Sequence, residues 1–258
     1  MKKFIVLLLI LLCTVTYADN VNIYWKVGDS TYATTQCEMG NDLILPTTPT
    51  KTGYTFRGWR IAQYIPIEYL ESTGGAFINT NFIPLTTKNL RINISFIFSN
   101  IISNEINGIW GYMNTSTIPR FGLFYNPGWT GFGSGVNETV YWDKSASIGV
   151  LYTAQLYNGV FTLSDNNTSK QINIGTYNTN QNTYPIYLGA RCNENAVPLW
   201  PSNIKIYYFQ IWQDDVLVRD FIPVLDHDGV PCMYDKVEGK FYYNQGTGQF
   251  IDGPIINE

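Results

Sequence analysis

The chain has 258 residues, of which 16% are aromatic and 14% charged, with 16 basic and 20 acidic side chains and one histidine. Its formal net charge is −4, and loss of Lys2 and Lys3 with a cleaved leader takes it to −6. An acidic chain without a basic stripe argues against nucleic acid as a partner. This length suits one large β domain with a small appendage, or two modest domains.

The first 18 residues read as a secretory signal. Lys2 and Lys3 form the positive flank, Phe4 to Cys13 an uncharged and mostly aliphatic run, and Thr16-Tyr17-Ala18 a small-x-small cleavage site. The run is shorter than the roughly 20 apolar residues a spanning helix needs. Bulky Leu11 and Leu12 before Cys13 argue against a lipid anchor. The expectation is an exported chain, secreted, periplasmic or held at the cell surface, with no membrane span once the signal is removed.

Downstream, no window sustains apolar residues at i, i+3, i+4, i+7. Short β-branched and aromatic runs bounded by Gly, Asn, Asp and Pro recur instead: VNIYWKV, DLILP, NLRINISFIFS, RFGLFY, VLYTAQLYNGVFTLS, YPIYLGA, IKIYYFQIW, VLVRDFIPV and KFYYN. Asp214-Asp215, Asn158-Gly159 and the DKVEG segment mark hairpin connections. The fold class predicted is all-β, an antiparallel two-sheet jelly-roll sandwich. In KIYYFQIW both alternating sets carry apolar side chains, Ile204, Ile206, Tyr208 and Trp212 against Tyr207, Phe209 and Ile211. That pattern predicts a strand covered on both faces.

The domain boundary is expected between Trp59 and Pro66, giving a signal peptide at 1–18, a small β unit at 19–62 and the large domain at 63–258. Before it, LPTTPTKTGYTFRGW resembles the second half of the Listeria-Bacteroides repeat, the internalin-type B repeat, through Pro46, Pro49, Lys51, Gly53, Tyr54, Phe56, Gly58 and Trp59. The resemblance implies a small β-grasp-like unit that acts as a spacer or interaction module and never as a catalyst. Tyr54, Phe56 and Trp59 would then fill the core of a unit too small to build one from aliphatics.

The large domain resembles the laminin G-like or concanavalin A-like jelly rolls of secreted bacterial proteins. IEYLESTGGAFINTNFIP at its start and KIYYFQIWQDDVLVRDFIPVLDHDGVPCMYDKVEGKFYYNQGTGQF at its end carry the likeness. The resemblance implies that the terminal segments pair, and that the module binds a glycan or a cell-surface protein.

That fold also hosts glucanases, whose two Glu and an Asp alternate along one strand about 5 Å apart. In NEINGIW, Glu105 is present but Asn107 stands where Asp is required, with Gly108 and Ile109 where the second Glu belongs. Glu68 and Glu71, three apart, point to opposite faces of a strand. The lone His227 sits in LDHDG, which reads as a polar turn, and no Gly-x-Ser-x-Gly or His-Glu-x-x-His occurs. Asp226, Asp228 and Gly229 begin like a calcium loop, but the other acidic positions of an EF-hand are missing. No cofactor is indicated. The laminin G-like resemblance leaves room for a single structural calcium at a sheet rim, held by scattered Asp and backbone carbonyls, which a lone sequence does not display.

The best local candidate for a ligand contact is YNPGWTGFGSGVN. Its glycines and proline argue for a rim loop, where Trp129 and Phe132 would stack on a sugar while Asn126 and Asn137 fix hydroxyls. The competing reading folds Trp129 back to plug the core. Cys37, Cys192 and Cys232 survive cleavage: either Cys192 bridges Cys232, or all three are buried thiols. The sequence therefore reads as a secreted, non-catalytic recognition module. The alternatives are a structural spacer of the envelope or matrix and, less favoured, a glycoside hydrolase.

Overall fold

The structure is a computed structural model of the 258-residue chain. It describes residues 2–4, 6–10, 20–27, 30–38, 42–56, 58–59, 64–84, 88–112, 121–129, 131–135, 139–142, 144–175, 184–193 and 197–256. Among them the one helical turn is a 3-10 turn at Pro127–Trp129. Among the described residues no helix is long and apolar enough to cross a membrane. The chain divides into two compact units, one of Met1–Ile67 with Leu225–Val230 and Ile255–Glu258, the other of Glu68–Val224 with Pro231–Pro254.

The first unit carries β1 (Lys2–Phe4), β2 (Val6–Ile10), β3 (Asn20–Val27), β4 (Ser30–Glu38), β5 (Tyr54–Phe56) and β6 (Ile65–Pro66). A three-stranded sheet runs β2-β3-β4, and β1 lies parallel to β5. The segment expected to be a leader thus supplies two strands, with Val6–Ile10 antiparallel to Ile23–Val27. Alternation along β3 buries Ile23 and Trp25 together with Cys37 of β4, and Trp59 and Ala33 pack against them. The Trp59 ring lies 4.9 Å from Trp25 and 5.3 Å from Phe56, both edge-on. The indole N–H of Trp25 donates to Thr35 Oγ1 at 2.8 Å, so burial leaves that donor satisfied. Trp59 of the GYTFRGW motif therefore packs on the core cluster, and Phe56 packs on Trp59. Tyr54 is half-buried, with Lys51 Nζ 4.7 Å from its ring centre. Gly58 makes the motif's last step at φ +109, a conformation a side chain would strain.

The second unit contains β7 (Leu70–Thr73), β8 (Ile78–Asn79), β9 (Leu90–Asn100), β10 (Asn107–Tyr112), β11 (Phe121–Asn126), β12 (Gly131–Gly135), β13 (Thr139–Trp142), β14 (Leu151–Tyr157), β15 (Val160–Ser164) and β16 (Ser169–Asn173). It continues with β17 (Tyr187–Leu188), β18 (Arg191–Cys192), β19 (Pro198–Leu199), β20 (Asn203–Gln213), β21 (Val216–Leu225), β22 (Pro231–Asp235), β23 (Lys240–Tyr242) and β24 (Gln249–Asp252). One sheet runs β13-β12-β11-β10-β17-β8, the other β16-β15-β14-β9-β20-β21-β22-β23, with β7 on β20 and β24 on β7. Phe98 lies 5.8 Å from Tyr125 and 6.1 Å from Phe132, Phe132 lies 5.2 Å from Tyr152, and Trp110 lies 6.3 Å from Phe209. These pairs join the inner faces, so the unit is an all-β sandwich of two predominantly antiparallel sheets. Its terminal segments pair as expected, Gln249–Asp252 running antiparallel to Leu70–Thr73. The turns at Asn158-Gly159 and Asp214-Asp215 take positive φ at both residues, as two-residue hairpins of the right twist require.

Two expectations are corrected here. β20 is not covered on both faces: Ile204, Ile206, Phe209 and Ile211 are fully buried, while Tyr207, Tyr208 and Trp212 are only half-buried. A register shift between Ile206 and Tyr208 inserts an extra residue and switches the parity of the strand, which the sequence pattern took for two apolar faces. Among the strands of six residues or more whose side chains are described, β10 is buried throughout and β11 up to its last residue. Cys192 of β18 and Cys232 of β22 are not bridged; with Cys37 they are three separate, buried thiols.

Candidate functional site

The rim-loop expectation fails at Phe132. Gly131–Gly135 is β12, paired with β11 through Tyr125↔Phe132, and Phe132 is 2% exposed among Phe98, Tyr125 and Tyr152. Phe132 is a core residue, turned inward by strand alternation that a glycine-rich sequence concealed. The Asn126 side-chain oxygen accepts the Gly128 N–H at 3.0 Å, so its role is to hold the 3-10 turn. Trp129 ends that turn, its side chain outside the described residues, as is the whole of Asn137.

The structure draws attention instead to the outer face of the second sheet. Along β14 the inward residues Tyr152, Ala154 and Leu156 alternate with exposed Thr153, Gln155 and Tyr157. On β15, Phe161 and Leu163 point inward between the half-buried Val160, Thr162 and Ser164. Register aligns the outward positions into rows across the strands. Gln210, Asn93, Gln155 and Thr162 form one row; Tyr208, Ser95, Thr153 and Ser164 form the next. Neighbours in these rows hydrogen-bond. Gln155 Nε2 donates to Asn93 Oδ1 at 3.1 Å, and Gln210 Nε2 donates to Asp220 Oδ1 at 2.8 Å.

Asn93, Thr153, Ala154, Gln155, Thr162, Ser164 and Tyr208 line a groove of about 290 Å³ on this face. Its lining carries no acidic or basic side chain, so it offers amide and hydroxyl groups that both donate and accept. Burial raises the Tyr208 pKa, keeping its phenol protonated and able to donate at neutral pH.

One end of the face is closed by a row of Trp212, Arg91 and Tyr157. The Arg91 guanidinium carbon lies 4.9 Å from the Tyr157 ring centre and 5.3 Å from that of Trp212. A nitrogen of the same group approaches Asp215 at 3.6 Å. Each such contact in solvent is worth about 1 kcal/mol or less, enough to hold the side chain flat against the rings.

The acid candidates sit elsewhere. Asn107 is buried and serves the 102–105 turn: its side-chain oxygen accepts Ile102 N–H, and its amide donates to the carbonyls of Ile102 and Glu105. Asp226, His227 and Asp228 bring ligand atoms within 4.8 Å of one another. The Asp226 carboxylate, however, already accepts the N–H groups of Asp228 and Val230, both at 2.9 Å, while His227 and Asp228 are exposed. This is the geometry of a side-chain-capped turn.

Residues 14–77 match the family model of the Listeria-Bacteroides repeat domain. The matched repeat takes in the β3–β4 hairpin and the GYTFRGW motif, and runs past Ile67, where the first unit's leading segment ends. No curated protein matches the sequence. Among solved structures, a Bacteroides ovatus protein described as carbohydrate binding is 10% identical, covering 93% of this chain and 70% of its own, at a TM-score of 0.48. The CBM40 of the Ruminococcus gnavus IT-sialidase is 19% identical over 64% of this chain and 93% of its own, at a TM-score of 0.37.

Groove-lining residues Asn93, Gln155, Thr162 and Tyr208 were missed in the sequence. A signal was there in VLYTAQLYNGVFTLS, where Thr153, Gln155, Thr162 and Ser164 are the polar half of an i, i+2 pattern.

Proposed function

We propose that the second unit is a non-catalytic glycan-binding module of an exported protein, and that its ligand lies in the groove between β20, β9, β14 and β15. The observation that carries this reading is the uncharged lattice of Asn93, Thr153, Gln155, Thr162, Ser164 and Tyr208 on an uncovered sheet face. Sugar hydroxyls are neutral groups that donate and accept, and such a lattice meets them without burying a charge. The groove's lining includes no carboxylate to act as an acid or nucleophile. The laminin G-like jelly-roll assignment belongs to this reading, supported by the pairing of β7 with β24. The first unit acts in it as a spacer or interaction module.

The test is a glycan array with isothermal titration of any hit, using the exported chain and its Thr153→Trp variant. Thr153 is exposed on β14, so an indole there fills the groove without touching the core. Binding by the wild type and a loss of about tenfold or more in the variant are expected, which corresponds to ~1.4 kcal/mol. Full binding by a folded Thr153→Trp protein refutes the groove as the site. The spacer reading has one observation of its own, exposed Leu43, Ile44 and Leu45 in the first unit. Indifference to every glycan together with self-association would favour it.

A further inference from the structure

The groove's 290 Å³ lies at the small end of the ~300–1,000 Å³ range of ligand clefts, room for little more than one sugar ring. The face does not stop there. The β20 bulge leaves Tyr207 and Tyr208 both half-buried between fully buried Ile206 and Phe209. A regular strand would have sent one of them inward; bulges re-aim side chains in this way.

Tyr208 lines the groove, and Tyr207 opens a second patch beside it. The Tyr207 ring lies 5.8 Å from that of Tyr69, edge to face. Lys205 Nζ donates to the Tyr69 hydroxyl at 3.1 Å and stands 4.3 Å from that ring's centre, with Glu71 at 3.9 Å. The Tyr69 ring is backed by the Gly253 backbone so closely that a Cβ on Gly253 would come within 2.9 Å of the ring carbons. The ring is thereby fixed in place before any ligand arrives, which lowers the entropic cost of binding. Tyr207 offers an aromatic ring beside a donor on Lys205 and an acceptor on Glu71, the chemistry that holds a pyranose, while Tyr69, packed between Lys205 and the Gly253 backbone, holds these groups in place.

We infer that Tyr207, Tyr69, Lys205 and Glu71 form a second sugar subsite joined to the groove by the Tyr207-Tyr208 bulge, so that the module takes an internal stretch of an extended polysaccharide rather than a single terminal sugar. This rests on the reading of the groove as a glycan site. From Trp212 to Tyr207 the strand runs roughly 17 Å at ~3.3 Å per residue, longer than one ring.

The test is calorimetric titration of the exported chain with linear neutral gluco-, manno- and xylo-oligosaccharides, each as a ladder from mono- to hexasaccharide. For the ladder that binds, wild-type affinity is expected to rise about tenfold or more from the shortest to the longest member. Tyr207→Thr, which keeps a β-branched residue in the strand, and Lys205→Gln should each flatten that rise while leaving the shortest ligand's affinity unchanged. A wild-type affinity independent of length, or a rise that survives both substitutions, overturns the second subsite. Loss of all binding in Thr153→Trp in the same experiment then shows that the groove reading stands alone. Binding retained by Thr153→Trp, or no binding to any ladder, overturns both.

Discussion

Replacing Phe132 with alanine separates the sheet-core reading of the glycine-rich segment from the rim-loop reading. The ring is 2% exposed and packs 5.2 Å from Tyr125, 5.2 Å from Tyr152 and 6.1 Å from Phe98. It therefore contacts its own sheet through Tyr125 and the facing sheet through Tyr152 and Phe98. Removing it forfeits the transfer term of a buried aromatic and leaves a cavity between two sheets held by backbone ladders, for a total of about 3–5 kcal/mol. A unit of this size shifts by about 2–4 °C per kcal/mol, so its melting temperature should fall by roughly 6–20 °C. Differential scanning calorimetry is the assay. The larger unit's transition carries the greater enthalpy, because unfolding enthalpy scales with residue number. Groove binding, measured well below the transition, should persist. An unchanged transition with glycan binding lost would show that Phe132 is a surface ring and that the site lies at the β11–β12 turn.

Gly111→Ala should cost about 2 kcal/mol or more. Gly111 sits at φ +141, and a Cβ there would meet the Phe121 carbonyl and come within 2.6 Å of Gly122 Cα, so a urea midpoint equal to wild type would refute the close β10–β11 approach. Asp165 accepts a hydrogen bond from Lys144 and others from the N–H groups of Asn167 and Thr168, which hold its carboxyl well below the usual range. With its folded pKa depressed below an unfolded ~3.9, its stabilisation is complete above that value and is lost as pH falls toward the folded pKa. The stability gap between wild type and Asp165→Asn should thus narrow between neutral pH and about pH 3; a constant gap would refute the pairing. Thiol titration of residues 19–258 in denaturant without reductant should find Cys37, Cys192 and Cys232 all reactive, and all protected in the native state. Recovery of a single thiol would indicate a disulfide.

Fold class was legible because its signals are local. The positive-φ pairs Asn158-Gly159 and Asp214-Asp215 announce tight turns, and the aliphatics of NLRINISFIFS alternate just as β9 buries them. The GYTFRGW motif was legible for a different reason: a unit with so few aliphatics must place Trp59 against its core, where it meets Trp25, with Phe56 packed on Trp59 in turn. Phe132 failed because glycines on both sides were taken as breakers. In β12 they are strand residues, and the pairing partner that makes them so, β11, can be identified only in three dimensions.

The groove escaped for a deeper reason. A surface that recognises neutral hydroxyls has no need of a charged cluster, a metal-ligand spacing or a shifted carboxylate, which are the features a sequence displays most clearly. Its residues are Asn, Gln, Thr, Ser and Tyr, ordinary occupants of any solvated strand, and only register across β20, β9, β14 and β15 assembles them. The bulge at Tyr207-Tyr208 compounds the difficulty, since one extra residue reverses which half of KIYYFQIW faces outward. Deleting Tyr207 would restore a regular alternation and place Tyr208 on the parity that Tyr207 now holds. If the outer face is built for binding, that deletion should remove the gain in affinity that long oligosaccharides have over short ones while leaving the buried set of Ile204, Ile206, Phe209 and Ile211 in phase and the sandwich folded. A deletion that instead unfolds the unit, as judged by near-ultraviolet circular dichroism, would show that the bulge serves packing.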